Sequence, residues 1–143
     1  MLYSKIVVAY DGSEISDKAL DSAIKMAKLN HFAKLEIIHV INIPAFVMGE
    51  MVITPPVKDE IELFDYSEQV VGKIKTQIQD LSNTNIEIRQ GSPAKTILSF
   101  AEEKAADLII IGSRGLNSFG EFVLGSVSHN VVQHAKIPVL VIK

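Results

Sequence analysis

The sequence contains no cysteine, which excludes disulfides and thiolate metal sites and fits a reducing compartment. It has no basic stretch either: 14 Lys and Arg face 17 Asp and Glu, a net charge of −3, so nucleic acid is not the expected partner. No apolar run reaches the roughly 18 residues of a membrane helix. Met1 to Tyr10 lead directly into a strand-like pattern, without the layout of a secretory leader. These absences predict a soluble, cytoplasmic protein with no membrane partner. There is no internal repeat and no low-complexity segment, and 143 residues fit one domain with an ordinary core.

What is present is an alternation of strand and helix patterns. Ile6 to Tyr10 is a short branched apolar run ended by the turn Asp11-Gly12-Ser13. Ile15, Ala19, Leu20, Ala23, Ile24 and Ala27 then recur at helical spacing. Lys34 to Val40 reads as a second strand, parallel to the first if the helix is a crossover. Ile41 to Val57 carries three prolines with no sustained period, so it is expected to be an irregular apolar loop, a lid or a surface for a protein partner. A helix resumes near Asp59 with Ile61, Phe64, Val71, Ile74 and Ile78 on one stripe. Ile86 and Ile88 alternate with Glu87 and Arg89, the mark of a strand near a sheet edge. Ser92-Pro93 starts another helix. Leu108 to Ile111 is a buried strand, a helix runs from about Gly125 to Ala135, and Ile137 to Ile142 is the fifth strand. The pattern predicts one parallel α/β sheet with helices on both faces, and a ligand site beyond the strand ends where strand order reverses.

The fourth strand stops at Gly112. Gly115 follows, then nine residues, then Gly125-Ser126 at a helix start. Small residues leave backbone N–H groups uncovered, and a helix start adds its own free donors, so this segment reads as a phosphate cradle. Tight turning and close packing are the plainer reading of the same glycines. Asp11 can cap its own turn or accept from a ligand. Ser126 can be a helix N-cap. Arg114 is either a solvated cation or a phosphate contact. The histidines do not form a metal pattern. His129 and His134, five apart on a helix, lie about 140° around its axis, and His39 reads as a packed strand residue.

These residues together resemble the ATP-binding branch of the universal stress protein family over essentially the whole chain. The motif of that branch is GxxG, nine residues, then G[ST], found here as Gly112-Ser113-Arg114-Gly115, Leu116 to Leu124, and Gly125-Ser126. The Asp11-Gly12-Ser13 turn and the closing PVLVIK agree with it. The resemblance implies a five-stranded parallel sheet in the order 3-2-1-4-5, Rossmann-like, as a single domain over residues 1–143. It implies that Ala9, Tyr10 and Asp11 border the nucleoside and that Val40 meets adenine through its backbone. It also implies that Gly112, Ser113, Arg114, Gly115, Gly125, Ser126 and Val127 lie around ribose and phosphates. Members like this one are homodimers that bind ATP, with Mg²⁺ or Mn²⁺ on the phosphates, and are linked to stress survival.

In that strand order the fifth strand is an apolar edge, and such edges are normally covered. Val139, Leu140, Val141 and Ile142 are therefore expected to pair antiparallel across a twofold axis. Magnitudes constrain the site. A phosphate gains only about 0.3–1 kcal/mol from a helix dipole, whereas micromolar affinity needs roughly 8 kcal/mol. Burying ~100 Å² of adenine adds about 2.5 kcal/mol, so a base slot is required as well. No general base stands beside the glycine loop in sequence, which favours an ATP-binding regulator over an efficient phosphotransferase. Slow ATP hydrolysis and a nucleotide-free dimeric interaction module are the competing readings.

Overall fold

The computed structural model describes residues 3–42, 46–48, 51–53, 57–114 and 124–143, with the backbone alone for 46–48, 51–53 and 57–60. The elements in chain order are β1 (Lys5–Ala9), α1 (Glu14–Leu29), β2 (Lys34–Ile41), β3 (Phe46–Met48), β4 (Met51–Ile53), α2 (Val57–Ile78), β5 (Thr84–Gln90), α3 (Pro93–Glu103), β6 (Leu108–Gly112), α4 (Ser126–His134) and β7 (Val139–Ile142). The main sheet runs β5-β2-β1-β6-β7, all pairs parallel. Counted without the short hairpin, this is the expected order 3-2-1-4-5.

One expectation is corrected. The segment 41–57 is not wholly irregular: β3 and β4 pair antiparallel, Phe46 opposite Ile53, Val47 opposite Val52 and Met48 opposite Met51, and α2 already begins at Val57. Three-residue strands are too short to display a period of two, which needs four or more residues to be read.

β1 is buried because consecutive side chains leave the strand on opposite faces and both faces are covered. Ile6, Val8 and Tyr10 pack with Leu20, Ala23 and Ile24 of α1 and with Val70, Ile74 and Ile78 of α2. Val7 packs on the other side with Ile97, Phe100 and Ala101 of α3 and Val131 of α4, with Ala9 at the margin. Phe100 is fully buried, and its truncation to alanine is expected to cost about 3–5 kcal/mol. The helix starts also follow from sequence. Ser13 caps α1, its side chain accepting from the Ser16 N–H at 3.2 Å, and Glu14 and Asp17 sit in the first turn, where the dipole favours them. Pro93 opens α3 after Ser92, as a ring without an N–H can do at no loss of hydrogen bonding.

Candidate functional site

The chain leaves β1, passes through β2 and β5 on one side, and returns to β6 and β7 on the other. The loops after β1 and β6 therefore diverge at the strand ends and leave a crevice, the position where open α/β sheets take ligands. A cavity of about 430 Å³ opens there, within the range of roughly 300–1,000 Å³ common to small-molecule sites. Its floor is apolar, formed by Ala9 of β1, Ile38 and Val40 of β2 and Ile111 of β6, with Pro93 and Ile97 of α3 as a side wall. Polar groups form the rim: Asp11, Asn42, Arg114, and the α4 start from Gly125 through Ser128.

Of the residues expected at a nucleotide site, Ala9, Tyr10, Asp11, Val40, Gly112, Arg114, Gly125, Ser126 and Val127 meet around this one cavity. Tyr10 borders it without its phenol entering. The hydroxyl donates to Asp17 on the α1 side, and burial together with that carboxylate pushes the phenol well above its ordinary pKa. Ser113 is buried and acts as a brace. Its N–H donates to the Ile142 carbonyl at 2.8 Å, and its own carbonyl accepts from the Gly125 N–H at 2.7 Å and the Ser128 Oγ at 2.7 Å. Gly115 lies outside the described residues.

The donors differ in detail from the glycine reading. The Gly125 amide is occupied by Ser113. Gly125 is the N-cap of α4 and Ser126 the first helical residue, which corrects the N-cap reading of Ser126. A glycine cap has no side chain to bond the amides behind it, and the first-turn N–H groups of a helix have no partner within it. Among the described residues no acceptor meets the first-turn N–H groups of α4, and Ser126, Val127 and Ser128 border the cavity. Gly112 has a packing reason of its own, since a Cβ there would lie 2.0 Å from Ile15 Cγ2. At Asp11 the turn-capping reading holds. Oδ1 accepts from the Ser13 N–H at 2.9 Å while the residue still lines the cavity.

His39 is turned away from the cavity. It is buried, with Nδ1 2.9 Å from the Tyr10 carbonyl and Nε2 3.1 Å from Ser67 Oγ. Among the described residues no group of three His, Asp or Glu side chains could hold a metal ion, and no helix is long and apolar enough to cross a membrane. Sequence reasoning missed Asn42, Pro93 and Ile97 as cavity residues. Pro93 and Ile97 read in sequence only as helix start and helix core, and nothing local says that α3 lies along the crevice.

An apolar slot bordered by a helix start at the switch point of a doubly wound sheet defines an α/β domain of the Rossmann-like class. The chain matches the universal stress protein family over residues 2–143, and it belongs to that family. Universal stress protein YxiE of Bacillus subtilis is 33% identical over 157 aligned positions that cover 99% of this chain and 100% of its own. The solved structure of universal stress protein UspA from Lactobacillus plantarum superposes with a TM-score of 0.83 at 26% identity, covering 100% of this chain and 99% of that one. A universal stress protein from Archaeoglobus fulgidus, solved in complex with dAMP, superposes with a TM-score of 0.66 at 25% identity and covers 100% of both chains.

Proposed function

We propose that this protein is an ATP-binding regulator of stress survival with little or no ATP turnover. The observation that carries the reading is the pairing, in one cavity, of an apolar slot with the first turn of α4, whose N–H groups meet no acceptor among the described residues. Adenine fits the slot between Ala9, Val40 and Ile97, where apolar area counts at about 25 cal/mol per Å². The phosphates fit the α4 amides and Arg114, whose guanidinium forks onto phosphate oxygens. A relative of the same family has been solved with dAMP, which agrees with an adenine nucleotide here.

Mg²⁺ or Mn²⁺ belongs to the proposal as an ion held by the phosphates, since Asp11 is the only carboxylate among the described lining residues. When bound, the ion neutralises phosphate charge. Among the described lining residues the titratable side chains that reach the slot are Asp11 and Arg114, the Tyr10 phenol being turned to Asp17, and this set favours binding over proton transfer. The proposal includes a cytoplasmic homodimer paired through β7. It also assigns the segment 41–57 as the surface through which the bound state reaches a protein partner.

The test is to denature the purified protein, chromatograph the released small molecules, and titrate the stripped protein with ATP, ADP, AMP and cyclic AMP in the presence of Mg²⁺. The expected outcome is one ATP site per chain and hydrolysis below a few turnovers per hour. Release of no adenine nucleotide and no binding by calorimetry would remove the proposal. Turnover above about 1 s⁻¹, the ordinary enzymatic range, would replace it with an ATP hydrolase.

A further inference from the structure

Three consecutive backbone carbonyls at the edge of the cleft, those of Tyr10, Asp11 and Gly12, each face a donor from the side opposite the cavity. His39 Nδ1 lies 2.9 Å from the Tyr10 oxygen, the Tyr66 hydroxyl donates to the Asp11 oxygen at 2.5 Å, and Lys73 Nζ donates to the Gly12 oxygen at 3.2 Å. Tyr66 and Lys73 belong to α2. The remaining nitrogen of His39 lies 3.1 Å from Ser67 Oγ, also on α2. Residues 66, 67, 70 and 73 recur at helical spacing, so one face of α2 is fitted to one turn.

This is more than the turn needs for itself. Locally it is already closed by Asp11 Oδ1 on the Ser13 N–H and by Ser13 Oγ on the Ser16 N–H. Two of the three extra donors, Tyr66 and Lys73, come from an element more than 50 residues away in sequence, and they hold the carbonyls of Gly12 and of Asp11, whose side chain borders the cavity. The fit is close: Gly12 has φ +86, and a Cβ there would stand 2.5 Å from the Tyr66 hydroxyl. We infer that α2 is a clamp on the 10–12 turn and that Tyr66 and Lys73 are positioning residues for the nucleotide, an inference that rests on the nucleotide reading above. Linkage makes the effect reciprocal: if α2 holds the turn in its binding geometry, an occupied cleft must hold α2.

The experiment uses the full chain and its variants Tyr66→Phe, Lys73→Met and Lys73→Arg, with Lys75→Met, an exposed α2 position, as control. ATP affinity is measured by calorimetry, and hydrogen exchange of residues 66–77 is measured with and without ATP. Tyr66→Phe is expected to weaken ATP about three- to tenfold, the effect of one lost hydrogen bond. Lys73→Met is expected to weaken it by less, with Arg restoring it and the control unchanged. ATP should slow α2 exchange in the parent and do so less in Tyr66→Phe, a coupling that loss of stability alone does not produce. Parental affinity in every variant, together with α2 exchange indifferent to ATP, overturns the clamp while leaving the nucleotide site standing. A parent that binds no adenine nucleotide overturns the nucleotide reading first, and the positioning role falls with it.

Discussion

The two faces of the sheet at the carboxyl end of β1 are built in opposite ways. On the α1 and α2 side, polar groups are paired to one another: Tyr10 with Asp17, Gln77 with Asp17, Lys73 with Asp17 and the Gly12 carbonyl, and His39 with the Tyr10 carbonyl and Ser67. On the α3 and α4 side, the same strand ends carry Ala9 and Val40, which meet Ile97 of α3 around a cavity, and among the described residues no acceptor meets the first-turn donors of α4. Alternation along the strands makes the division: Tyr10 and His39 point one way, Ala9 and Val40 the other. The paired, wired face holds the geometry, and the face opposite it carries the cavity.

The sharpest way to break this contrast is to overfill the packed side. Gly112→Val forces carbon into Ile15 and is expected to cost about 3 kcal/mol, the upper range for overpacking, read as a lower urea midpoint. The matching change on the open side is Val40→Trp, which occupies the slot. It should cost less than about 1 kcal/mol in the same denaturation and remove the adenine contribution of about 2.5 kcal/mol, close to 70-fold in ATP affinity. Equal damage to folding from both changes would erase the distinction between the faces.

The wired face also carries a pH signature. Burial raises the pKa of Asp17, but bonds from Tyr10 and Gln77 and the charge of Lys73 outweigh it and hold the carboxyl below its ordinary range. A carboxylate depressed in the folded state binds fewer protons than in the unfolded chain. Its stabilisation is therefore complete above the unfolded pKa, near 4, and is lost as pH falls through the lower folded value. Asp17→Asn is expected to cost about 1–2 kcal/mol at pH 7 and to flatten the loss of stability between about pH 4 and pH 2, measured by melting temperature across that range.

The contrast recurs at the two edges of the sheet. β5 carries Glu87 and Arg89, with Arg89 bridging to Glu103 at 2.7 Å and lying 4.9 Å over the Phe100 ring. β7 offers Val139, Leu140, Val141 and Ile142, with Leu140 exposed at 38%. Charge blunts the first edge against pairing, and nothing comparable stands on the second. Leu140→Lys should change stability by no more than about 0.5 kcal/mol while converting a dimer into a monomer by light scattering. A parent that is already monomeric removes the β7 pairing.

Whereas the strand order came only from the family resemblance, the order of the elements outside the β3–β4 hairpin and the spacing of the glycine motif were legible in sequence because each rests on a local pattern. These are branched runs ended by glycine, apolar spacing along helices, and a motif of fixed length from Gly112 to Ser126. What each glycine does was not legible. Gly112 is small because of Ile15, ninety-seven positions earlier, and Gly125 gives its own amide to Ser113 while offering no side chain to the amides behind it.

The sequence alone determined that strands and helices would alternate into a parallel α/β sheet, with its cleft beyond the strand ends, since period and punctuation act within a few residues. Only the tertiary structure decided that Pro93 and Ile97 would wall the cavity, that Tyr10 would turn its phenol to Asp17, and that Tyr66 and Lys73 would grip the turn beneath it. Those neighbours are brought together by the closing of the sheet, and side chains dozens of residues apart carry no mark of one another until packing puts them in contact.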